Sequence, residues 1–80
     1  MYYVYCLVSE TNPARRYAGF TEDLRDRLAD HNTGGTQSTS DGRPWKLTGY
    51  TAFDSKTKAH AFERYLKSGS GIAFARKRLW

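Results

Sequence analysis

The first hydrophobic segment is unbroken: Tyr2-Tyr3-Val4-Tyr5-Cys6-Leu7-Val8 carries an apolar or aromatic side chain at every position. Strand side chains alternate between two faces, so a run apolar on both predicts a strand covered on both, at the centre of a sheet. Ser9 to Ala14 holds the turn signal Asn12-Pro13, after which Arg15-Arg16-Tyr17-Ala18-Gly19-Phe20 reads as a short strand returning antiparallel in a hairpin. Thr21 is the expected N-cap of a helix running to about Thr33, with Glu22 and Asp23 in a first turn where the helix dipole favours negative charge. Its apolar stripe is Leu24, Leu28 and the edge of His31; Glu22, Asp26 and Asp30 line another face, one that would repel a phosphate backbone. Gly34-Gly35 ends this helix, and the Gly/Ser/Thr-rich stretch that follows has no apolar period, which predicts a mobile loop from Thr33 to Arg43. Extended chain resumes at Pro44-Trp45, and Leu47, Tyr50 and Phe53 mark a third strand over Lys46 to Phe53. Asp54 or Ser55 can cap the next helix, whose core-facing pattern is Ala59, Phe62, Tyr65 and Leu66. Ser68-Gly69-Ser70-Gly71 is expected to break it, leaving Ile72 to Trp80 as a short basic terminal helix. The predicted order is β-β-α-β-α-α in one domain over residues 1–80, with no internal repeat or linker.

Composition narrows what such a domain does. Its 80 residues include 13 Lys and Arg against 8 Asp and Glu, a formal charge of +5. A chain this short buries only about 60% of its unfolded surface, which argues for a thin core and against a large enclosed substrate cavity. Aromatic residues make up 15% of the chain, six of them Tyr, so stacking faces and phenolic hydroxyls stand beside the positive charge, a combination that suits bases and phosphates. The single cysteine, Cys6, excludes an internal disulfide and any multi-cysteine zinc site and fits a reducing compartment. The apolar N-terminal run is too short to span a bilayer and lacks a basic leader, so a cytoplasmic protein without membrane association is expected.

Arg27 and His31 stand at i, i+4 on the first helix and are surface neighbours, able to point into one cleft. Arg offers a permanently charged fork for phosphate oxygens and His a proton shuttle near neutral pH, although such a pair taken alone reads first as a solvated helix face. Glu63 falls at the margin of the second helix's buried face, where a carboxylate needs a partner. That partner is either Lys67, in an ordinary i, i+4 ion pair, or a divalent cation, and spacing alone favours the ion pair. Tyr5 and Tyr17, from the two hairpin strands, are either core tyrosines with satisfied hydroxyls or a pair of phenols for a water and a phosphate oxygen. Positive charge nearby would favour the ionised phenol. Cys6 has no base beside it in sequence, and His60, between two alanines, reads as a surface residue. The run Arg76-Lys77-Arg78 is a solvated helix end or, with Arg15, Arg16 and Arg43, an extension of a phosphate-tracking surface.

Taken in order, Tyr3-Val4-Tyr5, Tyr17-Ala18-Gly19, the segment Thr21 to Leu28, His31-Asn32, Pro44-Trp45 and the segment Ala61 to Lys67 resemble the GIY-YIG nuclease family in its compact single-domain bacterial type. Each piece is weak alone; together, in this order, they cover essentially the whole chain. The resemblance implies an α+β fold with a three-stranded antiparallel sheet flanked by helices, and a metal-dependent phosphodiesterase site on one side of it. In that reading Tyr5 and Tyr17 are the motif tyrosines, Arg27 binds phosphate, His31 follows one helical turn on, and Glu63 holds one Mg²⁺ or Mn²⁺. The implied activity is a DNA endonuclease of low sequence specificity. The expected mobile loop and the aromatic content favour single-stranded or distorted DNA over plain duplex, with Arg15, Arg16, Arg43, Lys67, Arg76 and Lys77 as nucleic-acid contacts. The chain departs from the family pattern at Tyr3, Val4 and Ala18, which are packing positions. It also has no asparagine beyond Asn32, where many members carry a late one; Ser68 or Ser70 is the candidate replacement. The rival readings are a catalytically silent nucleic-acid-binding module of the same fold and a protein-interaction domain using exposed aromatics.

Overall fold

A computed structural model describes residues 1–35 and 37–80 of the chain. The all-apolar N-terminal run forms β1, Tyr2–Ser9, and it lies at the centre of a three-stranded antiparallel sheet between β2, Arg16–Thr21, and β3, Trp45–Phe53. Both of its faces are covered, which is why it lacks alternation. Val4 and Cys6 point to one side and join Ala18, Ala59, Leu66 and Ala75 in a core beneath α2, Lys56–Leu66, and α3, Gly69–Arg78. Tyr5 and Leu7 point to the other and pack with Trp45, Tyr17, Leu24 and Leu28, two of which come from α1, Leu24–Thr33. The result is an α+β fold in the predicted order. Register sets the face of each strand residue: Tyr5 stands opposite Gly19 and Tyr50, and Leu7 opposite Tyr17. Between Cys6 and Leu7 the pairing with β3 slips by one residue, and the extra residue, Thr48, donates its hydroxyl to the Cys6 carbonyl at 3.1 Å. No helix among the described residues is long and apolar enough to cross a membrane.

Four local expectations are corrected. Asp23, not Thr21, caps α1: its carboxylate accepts the Asp26 N–H at 3.0 Å, while the Thr21 hydroxyl closes the preceding turn on the Asp23 N–H. The stretch after α1, expected as a mobile loop, leaves the helix through left-handed Gly34 (φ 84°) and then winds into a 3₁₀ segment, Gln37–Gly42. Hydrophobic periodicity could not reveal it because its anchors are polar. Thr39 is 1% exposed, its carbonyl accepts the Trp45 indole N–H at 2.7 Å, and the Ser9 hydroxyl donates to the Gly42 carbonyl at 2.6 Å. The glycine-serine stretch after α2 is a second helix start rather than a break confined to a loop. Ser68 caps α3 by accepting the Gly71 N–H at 3.2 Å, and Gly71 lets α3 start hard against the end of α2, since a Cβ there would lie 1.6 Å from the Tyr65 carbonyl oxygen. Tyr65, placed on the core stripe by spacing, is 41% exposed; α3 meets α2 at Leu66 and Phe62, leaving Tyr65 to lie against Phe74 at the surface.

Candidate active site

The hairpin builds the first part of the site. Opposite Tyr5 in the sheet stands Gly19, and the phenol crosses it so closely that a Cβ at that position would lie 2.4 Å from the hydroxyl oxygen. The glycine is therefore required by space rather than by backbone conformation. Two residues earlier on the same face, Tyr17 places its ring 6.3 Å from that of Tyr5, and α1, laid over this face by Leu24 and Leu28, brings Arg27 and His31 down onto the two phenols.

The four side chains are joined to a fifth that sequence reasoning did not single out. Arg27 Nε donates to the Tyr5 oxygen at 3.2 Å, that oxygen lies 2.9 Å from His31 Nε2, and His31 Nδ1 lies 2.6 Å from Thr39 Oγ1. His31 is wholly buried, and burial, helped by the Arg27 charge, holds its pKa below the ordinary 6.5. The neutral ring has one N–H. With that proton on Nδ1 and donated to Thr39, Nε2 is free to accept the phenolic proton of Tyr5, for which the described residues offer no other acceptor. The Thr39 hydroxyl is able to accept that Nδ1 proton, which is the tautomer in which Nε2 takes the phenolic hydrogen. No sequence signal marks this threonine, because its role depends on a tertiary contact across eight residues. The expectation that nearby charge favours an ionised phenol is corrected: burial raises the Tyr5 pKa above its ordinary 10.0, outweighing the Arg27 hydrogen bond. The Tyr5 phenol is therefore neutral at rest.

Tyr17 stacks obliquely on His31, centroid to centroid 5.0 Å, and among the described residues its hydroxyl has no hydrogen-bond partner. Glu63 arrives from the other layer, so the expectation that all five residues share one side of the sheet is corrected. It sits on α2, and His60, one turn earlier, stacks on Phe20 of edge strand β2 at 4.1 Å. His60 is accordingly half-buried rather than a plain surface residue. Across this edge the Glu63 charge still reaches Tyr5 and works against its ionisation. The carboxylate is 20% exposed and pairs with Lys67 at 3.1 Å and with His60 Nδ1 at 3.6 Å. Among the described residues no cluster of three or more His, Cys, Asp and Glu side chains stands together. A lone carboxylate at a partly open edge fits Mg²⁺ or Mn²⁺, hard ions that keep several waters and use one or two carboxylates with substrate phosphates, and does not fit an ion needing a closed protein cage.

The remaining basic residues divide into two groups. Arg15 pairs with Asp41 at 2.7 Å and Arg43 Nε donates to the Ser40 carbonyl at 2.6 Å, so both brace the 3₁₀ segment. Arg16, Lys67 and Arg76 instead line a groove of about 730 Å³ that Tyr17 and Trp80 also border, while Lys77 stands exposed on α3 outside it. Ser68 spends its hydroxyl on the α3 cap and the Tyr65 carbonyl. Burial pushes the Cys6 thiol up to about 11, which leaves it inert.

A hairpin carrying two phenols, a helix supplying Arg and His above them and a carboxylate at the sheet edge define a catalytic domain of the GIY-YIG type. The comparison with known families agrees: residues 1–72 match the GIY-YIG catalytic domain, and the chain belongs to that family. It is 41% identical over 64 residues to UPF0213 proteins of Streptococcus pyogenes serotypes M5 and M2, covering 79% of this chain and 70% of theirs. It is 38% identical over 65 residues to the structure-specific endonuclease subunit SLX1 homolog of Giardia intestinalis, covering 74% of this chain but only 18% of that protein.

Proposed function

We propose that the chain is an endonuclease that hydrolyses DNA phosphodiester bonds with one Mg²⁺ or Mn²⁺, with low sequence specificity and with single-stranded or structured DNA ahead of plain duplex. The observation that carries this reading is the hydrogen-bonded chain Arg27–Tyr5–His31–Thr39, buried from Tyr5 inward, a proton path that a binding module would have no use for. A water attacks the phosphorus, and Tyr5 takes its proton while passing its own to His31 Nε2, so a phenol that is neutral at rest serves as general base without a free phenolate. The new phosphorus–oxygen bond forms as the bond to the leaving oxygen breaks, and solvent protonates that oxygen. Arg27, its Nε engaged by Tyr5, turns its outer nitrogens to the phosphoryl oxygens; one such preorganised donor is worth about 3 kcal/mol in the transition state. Tyr17 orients the water or the phosphate. Glu63 holds the divalent ion, which when bound supplies stabilisation of charge on the phosphate and leaving oxygens.

The test is incubation of the purified chain with end-labelled single-stranded, duplex and branched DNA, with Mg²⁺, Mn²⁺ or chelator, beside Glu63→Ala and Tyr5→Phe. Cutting that needs the metal and is lost in both variants is the expected result. Intact DNA in every lane, with salt-sensitive binding retained, overturns it in favour of the silent nucleic-acid-binding module.

A further inference from the structure

The groove beside the catalytic residues is built for something the cleavage step does not use. It runs between β2, the end of α2 and α3, and is lined by Arg16, Tyr17, Lys67, Ile72, Arg76 and Trp80, with no acidic residue among its lining; Glu63 reaches it through the ion pair with Lys67. The Arg16 guanidinium lies over the Trp80 ring at 5.7 Å, making a layered planar cation of the kind on which a nucleobase stacks. The Trp80 ring is itself fixed, its indole N–H donating to the Leu7 carbonyl at 3.0 Å. Tyr17 belongs to both groove and catalytic cluster, so the two are continuous.

We propose that this groove holds an unpaired DNA strand next to the scissile phosphate, so that the chain takes a single strand there in preference to duplex. Its volume, about 730 Å³, lies within the range of small-ligand pockets and admits a few nucleotides of one strand. A duplex, whose major groove alone is about 12 Å wide, is too broad to enter. Arg16, Lys67 and Arg76 meet successive phosphates while a base lies on the Arg16–Trp80 layer. The proposal deepens the nuclease reading and takes DNA as its ligand from it.

The experiment is anisotropy of a labelled oligothymidylate and of a blunt duplex against the full chain in chelator, titrated with salt, for wild type, Arg76→Gln and the charge-matched control Lys56→Gln at the exposed start of α2. Each phosphate deprived of its cation lowers the slope of log affinity against log salt by about 0.7 for a single strand. Arg76→Gln should lose that increment and weaken oligothymidylate more than duplex, and Lys56→Gln should lose neither. A wild-type slope in Arg76→Gln, equal losses in the two variants, or equal losses for the two DNAs each overturns the groove. Because chelator removes the metal required for cutting, oligothymidylate binding with these signatures in a chain that never cleaves would retire the nuclease reading and keep the groove, whereas cleavage without them would do the reverse.

Discussion

Thr39 shows how much of the site rests on one hydroxyl. Its oxygen lies 2.6 Å from the buried His31 Nδ1, and with the ring proton held there Nε2 is left to accept from Tyr5. Thr39→Val keeps the shape and removes the acceptor. An unpaired buried N–H costs about 1–3 kcal/mol, and loss of a side chain that orients a reacting group lowers activity by about 10- to 100-fold. Urea unfolding and single-turnover cleavage should show both losses and Thr39→Ser should recover both; wild-type cleavage by the valine variant would sink the tautomer argument. Gly19→Ala acts differently: its Cβ meets the Tyr5 hydroxyl at 2.4 Å, so the phenol must leave its place between Arg27 and His31. Cleavage should fall by at least about 100-fold, the loss of one well-placed catalytic donor, while far-UV circular dichroism stays native. At this scale the sequence discloses unevenly. Tyr5, Tyr17, Arg27, His31 and Glu63 stand out because residue type and order repeat a known pattern; Thr39 does not, because nothing local separates it from the serines and threonines around it.

At the scale of elements, the strands and helices follow from periodicity and their ends follow from side chains that periodicity ignores. The unbroken run of β1 announced burial on both faces, and Leu24 and Leu28 placed α1. The caps were less legible: Thr21 and Asp23 are both good cap residues, and the choice fell to the one whose carboxylate reaches the Asp26 N–H. The start of α3 was hidden for a related reason. Glycine ordinarily argues against a helix, yet Gly71 is there because α2 and α3 approach too closely for any side chain. Its neighbour Gly69 meets nothing within 4 Å. The two glycines should therefore respond oppositely to alanine. Gly69→Ala should stabilise by about 0.5 kcal/mol through reduced freedom of the unfolded chain, and Gly71→Ala should destabilise by about 2 kcal/mol or more because the clash is with backbone. Urea midpoints at unchanged m-value decide this, and equal shifts would mean that the α2–α3 junction relaxes freely.

Across the whole molecule the core and the proposed catalytic residues are partly the same atoms. Tyr5, His31 and Thr39 are among the largest fully buried side chains, so a chain with little core to spare has placed a polar hydrogen-bonded row within it. Stability and activity therefore share a titrating group but should fall in different pH ranges. His31 is neutral in the fold, its pKa held below 6.5 by burial first and by Arg27 second, whereas in the unfolded chain it titrates near the ordinary value. As pH drops below 6.5 the unfolded state takes up a proton that the folded state does not, so stability declines until the folded His31 titrates in turn. Cleavage requires only that His31 remain neutral in the fold, and it should persist through the same window. The measurable consequence is a comparison of urea unfolding for wild type and His31→Gln between about pH 7.5 and 5.5, over which wild type should lose more stability than the variant. His60 and the carboxylates are common to both proteins and cancel in the difference. Parallel stability curves would mean that His31 titrates in the fold as it does in the unfolded chain, so that burial does not hold it neutral and it cannot stay a base for the Tyr5 phenol as pH falls.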